Sequence, residues 1–499
     1  MARSSGPVGT GTFKESFAAA QPSGAPPGAE YRVISGESAY KMEFARPAKG
    51  IRGERDLRWF VGSGNVGRSY LFAQDGFVFQ APVSYFSAVS KWGPSPGYAG
   101  KPFLDLARPV DTPCLQCHAS RLQAVAGTQN QYRETPFLEG GISCERCHGA
   151  GRRHAVARGA GAPFETGEIV NPAKLDAAGR DSICQQCHLT GAARVARAGK
   201  SVESFRPGDA LADHLAIFVW DAGGVSETAA TDHAEQLSRS ACKLAAGEKL
   251  ACTGCHDPHS RPEADERAAF YRGRCLSCHQ QNACQAPRQN RAANGDDCAA
   301  CHMPKGRSRE GEHVAYTNHQ IGKRQPPRKA AAPDAGPKLI SFFADPPAER
   351  DLALAWAGLG MSEPSMRPAA LRLLEKAERA SPRDPAVLSQ LAQYYDRMGK
   401  GERAQALYEQ VLKLEPRDVV AGANVGIYWA QRGRIGEAIA LWEPIVARNP
   451  AMTEVAINLA VAQQQTGRTA AARATLQRLL RFQPDLDGAR RLLDQESTR

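Results

Sequence analysis

Long apolar runs are missing from this sequence. The longest, at residues 215–220, is far shorter than the roughly 20 residues that a helix needs to cross a bilayer, so we expect no transmembrane segment. The first 28 residues are rich in Gly, Pro, Ala and Ser and lack the apolar core of a signal peptide. Either a signal has been removed or the chain begins inside a longer protein; we favour the second and expect a truncated start.

Cysteine is scarce outside one short phrase, and both cysteine and histidine are absent from about residue 351 onward. Of the 14 cysteines, 12 lie in six copies of the phrase Cys-x-x-Cys-His. The copies are Cys114, Cys117 and His118; Cys144, Cys147 and His148; Cys184, Cys187 and His188; Cys252, Cys255 and His256; Cys275, Cys278 and His279; and Cys298, Cys301 and His302.

This phrase is the attachment site of c-type haem. Its two thiols add across the porphyrin vinyl groups, and its imidazole binds the iron from one face as the proximal ligand. Pairs of Cys-x-x-Cys also build zinc sites, and residues 144–151 (CERCHGAG) fit a zinc-chaperone pattern. Zinc, however, needs no histidine after every second cysteine. The phrases therefore predict six covalent haem c sites, and because such attachment happens outside the cytoplasm we expect a periplasmic or extracellular protein.

The formal net charge of +11 would suit a nucleic-acid partner. Each bis-histidine ferric haem adds about one negative charge with its propionates, so we expect no nucleic acid. Successive phrases are 30, 40, 68, 23 and 23 residues apart between their first cysteines. So few residues per cofactor cannot build an ordinary apolar core, and the porphyrins must supply most of the buried apolar surface. We expect short helices and long loops around a packed haem array.

Six histidines lie outside the phrases, as many as six haems need for a second axial ligand. His259 ends the run HDPH at 256–259 and is expected to bind a neighbouring haem. The other distal candidates are His154, His233, His313 and His319. His214 lies in an apolar stretch, where a structural or surface role is the alternative. Met42 and Met303 are fallback ligands that more simply pack against neighbours.

Two cysteines are left over, Cys242 and Cys284. In an oxidising compartment two spare thiols most often pair. We therefore predict a disulfide between them, with a free buried pair as the alternative.

The segment at about 31–81 has the pattern of β-strands. Residues 69–73 (SYLFA) and 77–81 (FVFQA) flank QDG at 74–76, which is typical of a hairpin turn. Residues 62–67 (GSGNVG) match the G-x-G-x-x-G dinucleotide pattern, but that site requires a following helix. A strand is expected here instead, so the glycines more simply shape a turn.

The last third of the chain is periodic, with landmarks every 34 residues. They are Pro382, Pro416, Pro450, Pro484, Gly399, Gly433 and Gly467. This period predicts four tetratricopeptide repeats at 351–384, 385–418, 419–452 and 453–486, followed by a capping helix. Such stacks present a concave surface that binds a protein segment; a rigid spacer or a lid on the haem domain is the alternative.

Seven short segments carry a family resemblance. They are GSGN at 62–65, CERCHGAG at 144–151, NPAK at 171–174, CHLTG at 187–191, RPGD at 206–209, CHDPH at 255–259 and CHMPK at 301–305. On these segments the chain resembles multihaem cytochromes c of the hydroxylamine pathway, and more closely bacterial proteins that fuse such a domain to C-terminal tetratricopeptide repeats. The resemblance implies a signal peptide and a further Cys-x-x-Cys-His upstream, hence a seventh haem in a longer native chain.

We therefore expect a mainly α chain with extensive loops, in four segments. These are an N-terminal loop and small β-hairpin region of the cytochrome domain (1–110), a haem-binding core (111–321), a linker (322–347) and an all-α tetratricopeptide solenoid (348–499). The expected function is electron transfer along the haems of an exported cytochrome, with the repeats docking a redox partner or another protein.

Two other functions stay open. One is an oxidoreductase that acts on a small nitrogen compound at a five-coordinate haem, although the sequence has no Cys-x-x-Cys-Lys phrase of the kind that some such enzymes use. The other is a repeat-based adaptor in which haem is structural or sensory. Whether the chain is an enzyme is left open, with an electron carrier favoured.

Overall fold

The structure is a computed structural model that describes residues 4–10, 17, 22–35, 40–87, 89–163, 167–221, 232–279, 284–307, 315–322, 338–343 and 346–497. The chain divides into two compact units. One combines Ser4–Gly140 with Ala348–Arg499, and the other comprises Gly141–Pro347. The phrase at 114–118 thus belongs to the unit that carries the repeats, whereas the sequence-based segments place it in the haem core.

The N-terminal part of the first unit is richer in strands than the small hairpin region expected from the sequence. Its elements are β1 (Ser5–Pro7), β2 (Glu30–Ser35), β3 (Tyr40–Arg46), β4 (Ile51–Leu57), β5 (Trp59–Val61), β6 (Gly67–Gln74), β7 (Phe77–Phe86), β8 (Lys91–Pro94), α1 (Thr112–Gln116), β9 (Ala119–Ala124) and β10 (Tyr132–Gly140). They form a five-stranded sheet in the order β1-β5-β6-β7-β8, a three-stranded sheet β2-β3-β4, and the pair β9-β10.

The predicted hairpin is present between β6 and β7. The two strands pair up to Gln74 and Phe77, across Asp75 and Gly76. Both turn residues have positive φ, 51° and 82°, as a type I′ turn requires. The GSGNVG segment at 62–67 turns directly into β6, so a strand follows it and the helix of a dinucleotide site does not.

The five-stranded sheet is apolar on both faces because consecutive side chains of a strand point to opposite sides. One face packs against the segment that carries the first phrase, in a cluster that contains Trp59, Leu71, Val78, Val110, Leu115 and Ala119. The other face packs against the end of the last repeat, in a cluster that contains Phe60, Phe72, Phe77, Phe79 and Phe482. The ring centroids of Phe79 and Phe482 are 5.6 Å apart.

The second unit consists of short helices, short strands and loops. Its elements are α2 (Glu145–His148), α3 (Arg152–Gly159), α4 (Ala177–His188), β11 (Ala193–Ala196), β12 (Leu215–Trp220), α5 (His233–Ser238), α6 (Ala241–Ala246), α7 (Arg267–Leu276), α8 (Arg288–Ala293), α9 (Cys298–His302), β13 (Lys305–Arg307), β14 (Ala315–Thr317) and β15 (Leu339–Ser341). The longest apolar run of the sequence is β12, the central strand of the sheet β11-β12-β15. Part of the predicted linker is therefore strand β15, which pairs with β12.

The repeats are four antiparallel helix pairs and a final helix, as predicted from the 34-residue period. They are α10 (Glu349–Ser362), α11 (Arg367–Ala380), α12 (Pro385–Arg397), α13 (Gly401–Leu414), α14 (Val419–Gln431), α15 (Ile435–Arg448), α16 (Thr453–Gln465), α17 (Thr469–Phe482) and α18 (Asp487–Ser497). Gly399, Gly433 and Gly467 end the first helices of three pairs with φ of 72°, 78° and 75°, which glycine adopts without strain. No helix in the described part of the chain has the length and apolar character of a membrane span.

The loop between α17 and α18 is anchored on the N-terminal strands of the same unit. The Asp485 side chain is fully buried and accepts hydrogen bonds from Lys49 Nζ (3.0 Å) and from the Leu104 amide (2.9 Å). It also forms an ion pair with the Arg46 guanidinium. Burial by itself would raise the pKa of Asp485, but the Leu104 amide, Lys49 and Arg46 outweigh it and hold the pKa below its usual value. The last repeat and the strands consequently fold as one body.

Candidate haem sites

The six phrases lie on helical turns, and this brings their functional side chains to one side. Residues i, i+3 and i+4 of a helix are neighbours on its surface, and the two cysteines and the histidine have this spacing. The amides of His148, His256 and His279 each donate to the carbonyl of the first cysteine of the phrase, at 2.9 Å. The phrases at 184–188 and 298–302 lie at the end of α4 and along α9, and the phrase at 114–118 lies on α1 and the turn after it.

Acidic N-caps begin three of these helices. Asp111 accepts from the Cys114 amide at 3.1 Å, Asp176 from the Gly179 amide at 2.8 Å, and Asp297 from the Ala299 amide at 2.8 Å. Each carboxylate satisfies an amide that the helix itself leaves unbonded. A short helix that would be marginal alone is thereby fixed at the attachment thiols.

The twelve phrase cysteines all lie within reach of solvent. Four are exposed: Cys114, Cys144, Cys278 and Cys301. Eight are half-buried: Cys117, Cys147, Cys184, Cys187, Cys252, Cys255, Cys275 and Cys298. None of them is closed inside an apolar core, so all twelve lie where a porphyrin could approach.

The phrase cysteines differ in their surroundings. Cys187 is half-buried on α4 beside His188, and Cys278 is exposed just after α7, where its amide donates to the Cys275 carbonyl at 3.2 Å. A thioether needs a porphyrin vinyl group as its second partner, and the chain itself supplies only the thiol. The assignment of Cys187, Cys278 and the other ten to haem therefore stays a prediction.

Thiols of different phrases meet in the second unit. Cys184 is hydrogen-bonded to Cys252, which is the first cause of the raised pKa of Cys184. Cys275 is hydrogen-bonded to Cys298, and burial raises its pKa to about 11. Different phrases of the second unit are therefore neighbours in space.

Cys242 and Cys284 are not joined to each other in the structure, and their pairing stays a prediction. Cys242 lies instead among the thiols of the phrases. Burial, and after it the neighbouring Cys242 thiol, raises the pKa of Cys255. Cys284 is exposed.

The predicted proximal histidines differ in the hydrogen-bond partner of their Nδ1 atom. The Nδ1 atoms of His148 and His302 lie 2.8 Å from the Val170 carbonyl oxygen and 3.0 Å from the Gly322 carbonyl oxygen. A carbonyl can only accept, so Nδ1 carries the proton in both rings and Nε2 is the nitrogen left for a metal. This is the usual arrangement around a metal-bound imidazole.

The other proximal rings have different partners. Nδ1 of His256 lies 3.3 Å from the Tyr271 hydroxyl, and Nδ1 of His188 lies 3.1 Å from Nδ1 of His233. Nδ1 of His118 is buried and has no hydrogen-bond partner among the described residues.

Three predicted distal histidines each lie beside the histidine of a Cys-x-x-Cys-His phrase. The ring centroids of His148 and His259 are 6.0 Å apart with planes at 17°, and those of His256 and His319 are 6.1 Å apart with planes at 33°. The rings of His188 and His233 are 5.1 Å apart. Because a metal–imidazole bond is about 2 Å long, two imidazoles on opposite sides of one metal have centres about 6 Å apart.

Helix α5 is the element that gathers three of these rings. Asp232, just before it, accepts from the amides of Thr190 and Gly191 at 2.7 and 2.8 Å, directly after His188. Gln236, one turn into it, accepts from the His319 amide at 2.8 Å. The ring centroids of His233 and His319 are consequently 4.4 Å apart.

Burial keeps these imidazoles neutral. It is the largest cause of the lowered pKa of His118, His188, His256 and His319. The pKa of His233 falls to about 3 because of burial and then of His319, His188 and His256 nearby. The neutral imidazole is the form that binds a metal.

The remaining candidate distal histidines are His154, His214 and His313. His154 Nδ1 lies 3.1 Å from Glu168 Oε2. His214 is buried, with Nδ1 2.8 Å from Ser204 Oγ and Nε2 3.1 Å from Asp209 Oδ2, so both ring nitrogens have protein partners. His313 lies outside the described residues.

Several residues that hold the site were not found from the sequence. The carbonyls of Val170 and Gly322 carry no sequence signal, because any residue offers one. Tyr271 lies four residues before Cys275 on α7, and its helical position gave no indication that it faces His256.

The donors fit haem c better than a bare metal ion. In the described part of the chain, no group of three or more His, Cys, Asp or Glu side chains is arranged to hold one. Haem c, in contrast, needs two thiols and one imidazole on a single turn, and a second imidazole from elsewhere.

Two family descriptions match parts of the chain. Tetratricopeptide repeat matches residues 367–424 and 430–495, and cytochrome c554 and c-prime matches residues 100–149. The second match contains the phrases at 114–118 and 144–148. No curated protein matches.

Solved structures are similar to part of the chain. MamA residues 41 to the end from Desulfovibrio magneticus RS-1 is 21% identical, with 31% of this chain and 86% of that chain covered and a TM-score of 0.28. MamA AMB-1 is 24% identical, with 30% and 79% covered and a TM-score of 0.27. The first TPR of Spaghetti (RPAP3) bound to an HSP90 peptide is 20% identical, with 23% and 90% covered and a TM-score of 0.22.

Proposed function

We propose that this chain is an exported multihaem c-type cytochrome that carries electrons along six covalently attached haems, and that its tetratricopeptide repeats bind a protein partner. The observation that carries the proposal is the pairing of His148 with His259 and of His256 with His319, at the separation of two axial ligands of one iron. Two imidazoles on one iron would complete its coordination shell, which favours electron transfer over substrate binding.

Different residues would attach the porphyrins and bind the irons of such an array. The phrase cysteines attach the porphyrins, and His118, His148, His188, His256, His279 and His302 are the proximal ligands. His259 and His319 would serve as distal ligands to the sites of His148 and His256, and His233 would be a third distal ligand of the array. When bound, haem supplies an iron that cycles between two oxidation states one electron apart.

The carbonyls of Val170 and Gly322 fix the tautomer and the orientation of His148 and His302. Asp232 and Gln236 hold His233 and His319 in place through backbone amides. The repeats supply the interaction surface, as such solenoids do in general.

Spin state tests this proposal directly. In the haem-loaded full chain, a haemochrome count should give six haems, and low-temperature EPR should show low-spin ferric signals. Replacing His259 with Ala removes the imidazole opposite His148, so one low-spin signal should convert to a high-spin signal while the haem count is unchanged. The matched control, His214→Ala, removes a ring whose nitrogens are already bound by Ser204 and Asp209 and should leave every spin state unchanged.

The contrary outcomes are distinct. A high-spin ferric signal in the unaltered protein that shifts with nitrite or hydroxylamine would favour the oxidoreductase alternative. An absence of covalent haem would contradict the proposal.

A further inference from the structure

The hydrogen-bond acceptor at Nδ1 of a proximal histidine influences the reduction potential of the iron that this histidine binds. When the Nδ1 hydrogen is donated to an acceptor, the imidazole gains negative character and donates more strongly through Nε2, which stabilises the ferric state. Removing the acceptor weakens this effect and raises the reduction potential. Burial acts in the same direction, since the ferric site carries more positive charge than the ferrous site and a low dielectric disfavours it.

The six proximal histidines are unequal in this respect. Carbonyl oxygens accept from His148 and His302, the Tyr271 hydroxyl lies against His256, and the His233 ring lies against His188. His279 is exposed, so water can take the acceptor's place. His118 alone combines a buried Nδ1 with the absence of any acceptor among the described residues.

Local packing explains why His118 differs. The turn that carries it rests on the five-stranded sheet through Leu115 and Ala119, both fully buried. Its carbonyl oxygen is already used, because it accepts from the hydroxyls of Ser4 (2.8 Å) and Ser5 (2.7 Å). Nδ1 of His118 is thus buried on a turn whose neighbouring residues pack in an apolar cluster, and it has no hydrogen-bond partner among the described residues.

We infer that the haem attached at Cys114, Cys117 and His118 has the highest reduction potential of the six, so electrons that enter the array collect on it. This inference rests on the proposed function. Each transfer oxidises one ferrous haem and reduces one ferric haem by a single electron, with no bond made or broken. The phrase at 114–118 belongs to the unit that also carries the repeats.

A redox titration of the haem-loaded full chain, followed in the visible spectrum, tests the order. The double variant Cys114→Ala with Cys117→Ala removes the covalent attachment at His118, and the matched variant Cys298→Ala with Cys301→Ala removes that at His302. The first should abolish the reductive step of highest potential and the second a step of lower potential. If the first variant loses a step of lower potential, the inference is overturned.

A second variant tests the acceptor rule without removing a haem. Tyr271→Phe deletes the hydroxyl beside His256, so a single step should move to higher potential while the haemochrome count stays at six. Tyr428→Phe, whose hydroxyl donates to Asp396 on the repeats, is the matched control and should move none. An unmoved titration in Tyr271→Phe overturns the rule and leaves the proposed function standing, whereas fewer than six haems in the unaltered chain contradicts the proposed function itself.

Discussion

At the scale of one residue, the buried carboxylate of Asp485 makes a large contribution to the free energy of unfolding. Replacing it with Ala leaves Arg46, Lys49 and the Leu104 amide without their acceptor. Losing one partner of a buried ion pair costs about 3 kcal/mol of unfolding free energy. Urea unfolding of the full chain, followed by circular dichroism, should show this loss.

The matched control is Asp487→Ala. Asp487 also pairs with Lys49, at 2.7 Å, but its side chain is 53% exposed. An exposed pair contributes about 1 kcal/mol or less. Equal effects of the two substitutions would contradict the assignment of Asp485 as the anchor.

The lowered pKa of Asp485 gives a pH dependence with a defined sign. The folded pKa lies below the unfolded value of about 4, so the carboxylate contributes its full stabilisation above that pH. The contribution is lost as the pH falls through the folded pKa. Unfolding midpoints measured between pH 6 and pH 3 should therefore fall less steeply in Asp485→Asn than in the unaltered chain, and parallel curves would argue against it.

No sequence pattern marks this anchor. Asp485 is 439 residues from Arg46 and 436 from Lys49, so nothing local connects them. The phrases at 114–302, in contrast, were recognisable because every group that attaches one haem lies within five residues. The predicted distal ligands fall between these cases: His259 was proposed from its own short run, whereas its neighbour His148 is more than a hundred residues earlier.

At the scale of the element, the repeats were predictable because each helix pair obeys the same spacing of small and large residues. Gly426 on α14 occupies one of the small positions, and a Cβ there would meet the indole of Trp442 on α15. We predict that Gly426→Ala destabilises the repeats by about 1–3 kcal/mol through overpacking.

Gly358 on α10 provides the opposite case. It is an exposed helical glycine with no atom within 4 Å of an added Cβ. Gly358→Ala should stabilise the helix by about 0.5–1 kcal/mol, because glycine is a poor helix former. Thermal unfolding followed at 222 nm should move in opposite directions in the two variants; a shift of the same sign would show that packing at α14 and α15 has been misassigned.

The strands of the first unit were harder to predict than the helices. Residues 57–61 contain strand β5 and the end of β4, and both faces of the resulting sheet are buried, so Trp59 and Phe60 are equally apolar. A strand with two buried faces has no polar alternation, which is the main signal of a half-buried strand. Only the hairpin at Asp75 and Gly76 had an unambiguous turn.

At the scale of the whole molecule, the order along the chain and the grouping in space differ. The sequence places the phrase at 114–118 with the other five, and the change of composition near residue 351 separates it from the repeats. The structure groups Ser4–Gly140 with Ala348–Arg499. Contacts such as that between Phe79 and Phe482 decide this grouping, and composition cannot reveal them.

The two faces of the five-stranded sheet have a kinetic consequence. One face supports the attachment turn of Leu115, and the other supports the end of the last repeat through Phe482. Under the proposed function, a protein held by the repeats would be confined close to the haem at 114–118, and its electron exchange would be a first-order event within the complex instead of a second-order collision. In such an arrangement the effective concentration of the partner would determine how often transfer occurs. The rigidity of the sheet would set that concentration, and the partner's abundance in the compartment would not.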